Sequence, residues 1–473
     1  MDLPVFHLDF LNNRLLIALV AILHVLINHG MAVGGIPLVV YLEGRGVQTG
    51  DASWDALAYR ILRSFFIITT TVGALTGVGI WLSASLVNPY AIGSLIRVFF
   101  WTWFTEWIVF VTEVVLILAY YLTWRTWVDE RKAAHVRLGR RLALASWVTM
   151  ALIVSILSFM MDPGAWRSDK TLFSGMFNPV YLPQLAFRTP LAMTMAGAYG
   201  LCVVLWTTKR GALERTQAVR AISRWTLGWL VPCVVGGLWY ARVVPSAMQA
   251  NMSVALVTQA LEQWARSAEW VLGAAGLLIA AIAARGALRP DARGAWLLVA
   301  PAILSIVLVG TFERVREFVR KPWAIPDYLY SNGFRRDDYA MLQRDGILAH
   351  ATYTRIRTIT PDNEVEAGRE VFTLACTRCH TVDGINGIRG VLSGMYGEQP
   401  WQRDSLASYI GSMHRARPFM PPFPGSDRER EALATYLVHL QDHRDVIEGA
   451  QVTGVTSPPP RRPADRTVAT QLP

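Results

Sequence analysis

Eight stretches of this 473-residue chain stay apolar over the roughly 20 helical residues that cross a hydrocarbon core of about 30 Å. They centre on residues 15–42, 61–86, 95–124, 141–161, 183–207, 223–245, 267–284 and 294–312. After the eighth the pattern changes. "ERVREFVRKPWAIPDYLYSNGFRRDDY" mixes arginine with aromatics, as a stretch lying at a membrane interface does. Residues 327–361 read as a connector, and 362–445 have the length and amphipathic period of a small helical domain. The tail 446–473 is rich in proline and threonine with no apolar period, which predicts disorder. No internal repeat is visible. The expected fold class is all-α: a polytopic membrane bundle of about eight helices over residues 1–326, then the small helical domain.

Composition agrees with the membrane class, since 53% of residues are hydrophobic and 18 are tryptophan. The formal charge of +10 does not point to nucleic acid, because the arginines cluster between apolar runs, where they set topology. The connections after the third, fifth and seventh stretches carry six, five and three basic residues, in "RTWVDERKAAHVRLGRR", "KRGALERTQAVRAISR" and "RGALRPDAR". The connections on the other side carry none, two and none. Positive charge stays inside, so both termini are expected outside. The opening "MDLPVFHLDFLNNR" lacks a basic region, and no cleavable signal peptide is expected.

Four cysteines occur. Cys202 and Cys233 lie in apolar runs and read as core residues. Cys376, Cys379 and His380 form C-x-x-C-H in "LACTRCHTVDG", the arrangement in which two thiols add to a haem and the histidine ligates its iron. A structural zinc site would need further ligands close by, and none follows at that spacing. The helix leading into the motif, "EAGREVFTLACTRCHTVDG", resembles the first helix of class I cytochromes c. That resemblance implies a methionine as second axial ligand, and "RPFMPPFPGSDREREALATYLVHL" offers Met420 in a proline-stiffened loop. His414 is the rival, Met413 and Met395 weaker ones. A covalent haem c on an outer domain also demands the topology that the charges give.

Ionisable groups inside a membrane are costly and are functional candidates. The first stretch holds His24 and His29, the third Glu106 and Glu113, and the eighth ends in Glu313, Arg314, Arg316, Glu317 and Arg320. These residues resemble subunit I of the cytochrome bd-type quinol oxidases, over about residues 10–326. "EFVRKPWAI" matches that family's E-F-x-R-x-P-W segment, with weaker echoes in "TVGALTGVGI" and "FNPVYLPQLAF". The resemblance implies that His24 ligates one haem and Glu317 a second, and that Arg320 partners propionates or Glu317. It makes Glu106 and Glu113 groups for proton delivery, although their spacing is one residue short of the family pattern. It further implies two non-covalent haems of b or d type and a second membrane subunit.

Other features depart from the family. Arg188 stands near the position where the family has the histidine of its low-spin haem b, and "LEQWARSAEWVLG" has no methionine for that haem. The quinol loop shrinks to about 246–266, and the haem c domain replaces a ninth helix. Quinol-side machinery is thus expected to be missing, with an external electron inlet fused on.

Plain alternatives stand beside these readings. His24 could be a buried histidine bonded to a helix carbonyl. His29 lies about 140° around the helix from His24, so both cannot face one haem, and it reads as structural. Glu317 could pair with Arg316 or Arg320, and the two glutamates could bond neighbouring hydroxyls. His7, His135, His350, His439 and His443 read as surface groups.

The resulting expectation is a multi-pass cytochrome of a bacterial inner membrane, its haem c domain periplasmic. It would take electrons from a periplasmic cytochrome c or oxidoreductase and reduce dioxygen as a bd-like terminal oxidase. The alternatives are a non-catalytic relay between quinone and a periplasmic enzyme, or a membrane-anchored cytochrome c.

Overall fold

The computed structural model describes residues 6–11, 13–257, 268–291 and 294–443. The tail expected to be disordered and most of "LEQWARSAEWVLG" lie outside the described residues. Eight helices among the described residues are long and apolar enough to cross a membrane. In chain order, spans 1 to 8, they are Asn13–Thr49, Ala52–Val87, Phe100–Thr123, Asp129–Phe159, Tyr181–Thr207, Leu213–Val243, Trp270–Leu288 and Trp296–Val319. This is a multi-pass membrane protein.

Spans 1 and 2 each contain one π-helical segment, Asn28–Val33 and Thr69–Gly73. Such widened turns are rare and gather at functional sites. The two segments lie against each other, so both spans are locally rewound at one depth. The main core forms where spans 1, 2, 5 and 6 bury Leu38, Leu42, Leu57, Ile61, Phe65, Leu201 and Ile222. Backbones come close here: a Cβ added to Gly34 would lie 2.0 Å from the carbonyl oxygen of Ala192, so only glycine lets span 1 approach span 5. Span 3 is peripheral. It buries Thr102, Ile117 and Tyr120 but exposes Trp101, Phe104, Trp107, Phe110 and Leu122.

Beyond span 8 the chain departs briefly from helix. Trp323–Ile325 pairs antiparallel with Leu329–Tyr330, because Pro322 and Pro326 leave too few residues between them for a helical turn. The connector then joins the core of the following domain: Tyr330, Phe334, Tyr339, Leu342 and Ile347 share one buried cluster with Val371, Phe372, Leu433 and Tyr436. Four helices build that domain, Glu364–Ala375, Ile388–Tyr396, Arg403–Ala416 and Asp427–Asp442. The last starts with a capping box of Ser426 and Glu429. Glu429 also accepts from the backbone N–H groups of Ile347 and Leu348, at 2.9 and 2.8 Å, which latches the connector to this helix.

Two surface assignments are corrected. His7 and His135 are 2% and 0% exposed. Both sit next to polar runs in sequence, but each is paired to a carboxylate, His7 to Asp9 and His135 to Glu43. Pairing is what lets a polar ring be buried.

Candidate functional site: a haem attachment loop docked on the charged end of a membrane bundle

The helix Glu364–Ala375 buries Ala367, Gly368, Val371 and Phe372 against Asp427–Asp442, with the rings of Phe372 and Tyr436 5.8 Å apart. It ends at Cys376, whose carbonyl accepts from the N–H groups of Cys379 at 3.0 Å and His380 at 2.9 Å. This tight turn gathers the two sulfurs and the imidazole, as haem attachment requires. Nδ1 of His380 lies 3.2 Å from the carbonyl oxygen of Asn386. Donation there places the proton on Nδ1 and leaves Nε2 for iron. Burial, with Lys321 as a second cause, pulls the His380 pKa down to about 4, so the ring is the neutral donor a metal needs. The two thiols differ. Burial pushes Cys376 up to about 12, whereas Lys321 and Arg14 hold Cys379 below the ordinary thiol value against the opposing effect of burial.

Met420 sits half-buried in the loop before Asp427–Asp442, its N–H bonded to the Arg417 carbonyl at 2.8 Å. Tyr339 donates to the Pro422 carbonyl at 3.1 Å and Gln343 to that of Phe423 at 3.1 Å, so the connector holds this loop. The rival His414 has another task, since its Nδ1 lies 2.5 Å from the Met420 carbonyl oxygen and steadies the loop. Met420→Ala is expected to keep the covalent haem, lose the methionine–iron charge-transfer band of the oxidised spectrum and lower the haem potential. Absorption spectroscopy with a redox titration checks this, and a retained band would remove Met420 from the ligand set.

The attachment loop lies directly on the membrane bundle. Arg378, 3% exposed, donates to the Val87 carbonyl at 3.2 Å, capping the end of span 2. Phe419 packs on Phe318 at the end of span 8, ring centroids 5.7 Å apart. Cys379 Sγ lies 4.0 Å from a guanidinium nitrogen of Arg14, and Arg14 bonds Glu317 at 2.7 Å. The other carboxylate oxygen of Glu317 bonds Arg320. Sequence reasoning found Glu317 and Arg320 but missed Arg14 and Arg378.

Deeper in the bundle, Arg188 bonds Glu313 at 2.6 Å and reaches His29 Nε2 at 3.2 Å, while Arg316 holds the second Glu313 oxygen at 2.8 Å. Arg188 is 1% exposed and Glu313 5%. His29 thus points to span 5, and His24 points to span 2, as their angular separation predicts. Arg188→Ala leaves Glu313 less compensated in a buried site, where breaking a pair costs about 3–5 kcal/mol. A clear drop in thermal stability in detergent is expected, and an unchanged melting temperature would contradict it.

His24 is half-buried, with Nδ1 3.2 Å from the Gly73 carbonyl and 3.3 Å from Thr76 Oγ1. Gly73 closes the π-segment of span 2, and a Cβ on Gly77 would lie 3.1 Å from the imidazole Cε1. Donation from Nδ1 to this carbonyl leaves Nε2 as the ring's acceptor, and here the Asn28 amide nitrogen stands 2.9 Å from it, so a metal at Nε2 would displace Asn28. Asn28 stands 2.8 Å from Nδ1. Along span 1, His24 is ten residues from Arg14, the partner of Glu317, which is about 15 Å of helix. His24 and Glu317 therefore lie too far apart to serve one iron.

Do the residues fit membrane haems? Arg316 Nη1, Arg320 Nε and Nη1, and Arg188 Nε are buried with no hydrogen-bond partner among the described residues. A buried unpaired donor costs about 1–3 kcal/mol, more for a charged group. Haem propionates would satisfy such donors, so the arginines fit, and His24 fits once the Asn28 amide leaves Nε2. Glu317 fits less well, because arginines hold both its oxygens.

Glu106 and Glu113 share the face of span 3 that meets span 4, where Glu113 accepts from Thr149 at 3.2 Å. Tyr120, seven residues on, continues this face and bonds Glu43 at 2.6 Å. Glu43 is fully buried and also holds His135 at 2.5 Å and Lys132 at 2.8 Å. This ionic network lies at the end of the bundle opposite the haem loop, and it was not anticipated.

Comparisons bear on both parts. Residues 363–437 match the family cytochrome c oxidase, cbb3-type, subunit III. The membrane region resembles a solved chain of the bd oxidase from Geobacillus thermodenitrificans, with TM-score 0.55 and 18% identity over 67% of this chain and 89% of that one. No curated protein matches the sequence. The class is thus a polytopic membrane bundle with the bd-oxidase fold, carrying a cytochrome c domain. More particularly, it is a bd-like membrane domain fused to a domain similar to cbb3 subunit III.

Proposed function

We propose that this protein is a membrane cytochrome that accepts electrons from a periplasmic donor at haem c and delivers them to membrane haems that reduce dioxygen. The observation that carries this reading is the docking of the attachment loop, with Cys379 4.0 Å from Arg14 and Arg14 bonded to Glu317. A merely anchored cytochrome would need no such contact. Cys376, Cys379, His380 and Met420 would hold haem c, His24 a membrane haem, and Glu317 a second. Bound haem supplies the redox and oxygen chemistry. The chain supplies ligands, arginines for propionates and protonatable groups at Glu106 and Glu113.

The orientation proposed is haem c domain outside and basic connections inside, in a bacterial inner membrane. The exposed aromatic face of span 3 is offered to a second membrane subunit or lipid. A non-catalytic relay is the second reading, favoured by one observation: both oxygens of Glu317 are already held. Carbon monoxide difference spectra of the purified protein separate the two. Carbon monoxide binding at non-covalent haem supports the oxidase, and purely low-spin haem supports the relay.

A further inference from the structure

Residues 6–11, ahead of span 1, do more than lead into a helix. Residues 6–11 cross the attachment loop: Ile385 donates to the Phe10 carbonyl at 3.3 Å. A Cβ on Gly384 would lie 2.2 Å from the Asp9 carbonyl oxygen, so the loop admits this segment only because residue 384 is glycine. Asn13, fully buried, fixes the segment to span 1, with its amide donating to Phe6 at 2.5 Å and its oxygen accepting from Leu8 at 3.3 Å. One residue further, Arg14 forks. One nitrogen takes both the Glu317 carbonyl at 3.0 Å and its carboxylate at 2.7 Å, and the other reaches Cys379 Sγ at 4.0 Å. Its side chain is 11% exposed.

We propose that Arg14, with residues 6–11, is a positioning clamp that fixes the haem c attachment loop over Glu317, making the haem c domain a docked inlet and not a tethered carrier. The reasoning is geometric. A carrier that swings must break its contacts cheaply, and surface ion pairs allow that. Here the Arg14–Glu317 pair is largely shielded, 11% and 16% exposed, and charge-assisted, and the loop is held from both sides, by the N-terminal segment and by Arg14. A guanidinium suits this junction because its planar fork serves two acceptors and a sulfur at once, which an ammonium cannot do. The inference rests on haem attachment at Cys376, Cys379 and His380 and is independent of the terminal acceptor.

The test uses the full-length purified protein, with hydrogen exchange over residues 376–388 and a redox titration of haem c. Arg14→Ala is expected to raise exchange in that loop about tenfold. It should also lower the haem c potential, since a cation beside the sulfur is lost. Arg14→Lys keeps the charge and should retain the potential while losing part of the protection. Should Arg14→Ala fail to assemble, Asn13→Ala frees the segment without touching Arg14 and should raise exchange alone. Unchanged exchange in the alanine variants overturns the clamp, as does a potential shift without loosening. A pyridine haemochrome on each variant reports covalent haem separately, so failure of attachment is not mistaken for failure of the clamp.

Discussion

Replacing His24 with alanine is expected to remove one non-covalent haem per chain while leaving haem c attached. Nδ1 lies 3.2 Å from the Gly73 carbonyl, so Nε2 is the nitrogen that would face iron once the Asn28 amide, 2.9 Å away, gives way. Losing a partner of a metal ligand alone costs roughly 10–100-fold in affinity or activity, so losing the ligand itself should cost more than about a hundredfold in oxygen uptake. The fold should survive, because His24 is only half-buried and lies outside the main core of spans 1, 2, 5 and 6. Extracted haem measured against covalent haem checks the outcome. An unchanged ratio would return His24 to a structural role, bonded to a carbonyl and a threonine.

The second large effect concerns the inlet. With Cys376 and Cys379 both changed to alanine, covalent haem disappears and oxygen uptake driven by a reduced periplasmic-type donor falls to background. Membrane haem content should stay near normal, because His24 and the arginines of span 8 belong to the membrane spans and not to the attachment domain. Dithionite should therefore still reduce the membrane haems. Donor-driven uptake that persisted in this variant would mean that electrons enter elsewhere, and haem c would be a passenger. The domain around the motif is also expected to lose stability, since a bound prosthetic group contributes folding free energy.

Much of the architecture was legible because it is periodic or local. All eight spans follow from apolar length, and the haem loop from a motif eleven residues long. The loop that carries Met420 was likewise marked by its prolines. What escaped is long-range. Arg14 meets Glu317 across 303 positions, Arg188 meets Glu313 across 125, and His135 meets Glu43 across 92. No spacing rule joins such residues, and a basic residue at the edge of an apolar run reads as a topology signal until its carboxylate is seen. His135 was misjudged for that reason, whereas His7 was misjudged although its partner Asp9 stands only two residues on. The connector was underestimated differently: Tyr339, Leu342 and Ile347 lie on helices of seven and four residues, Tyr339–Asp345 and Ile347–His350, too short to show a period. Glu106 and Glu113 do share a face, as two turns of helix require. The π-segments beside His24 left no mark in the sequence.

The most direct measurement mixes the fully reduced, purified protein with dioxygen, without quinol, and follows haem c absorbance together with oxygen consumption. The account predicts that haem c and the non-covalent haems are oxidised in the same reaction, and that a reduced donor sustains uptake. Haem c that stays reduced while oxygen is untouched would contradict it.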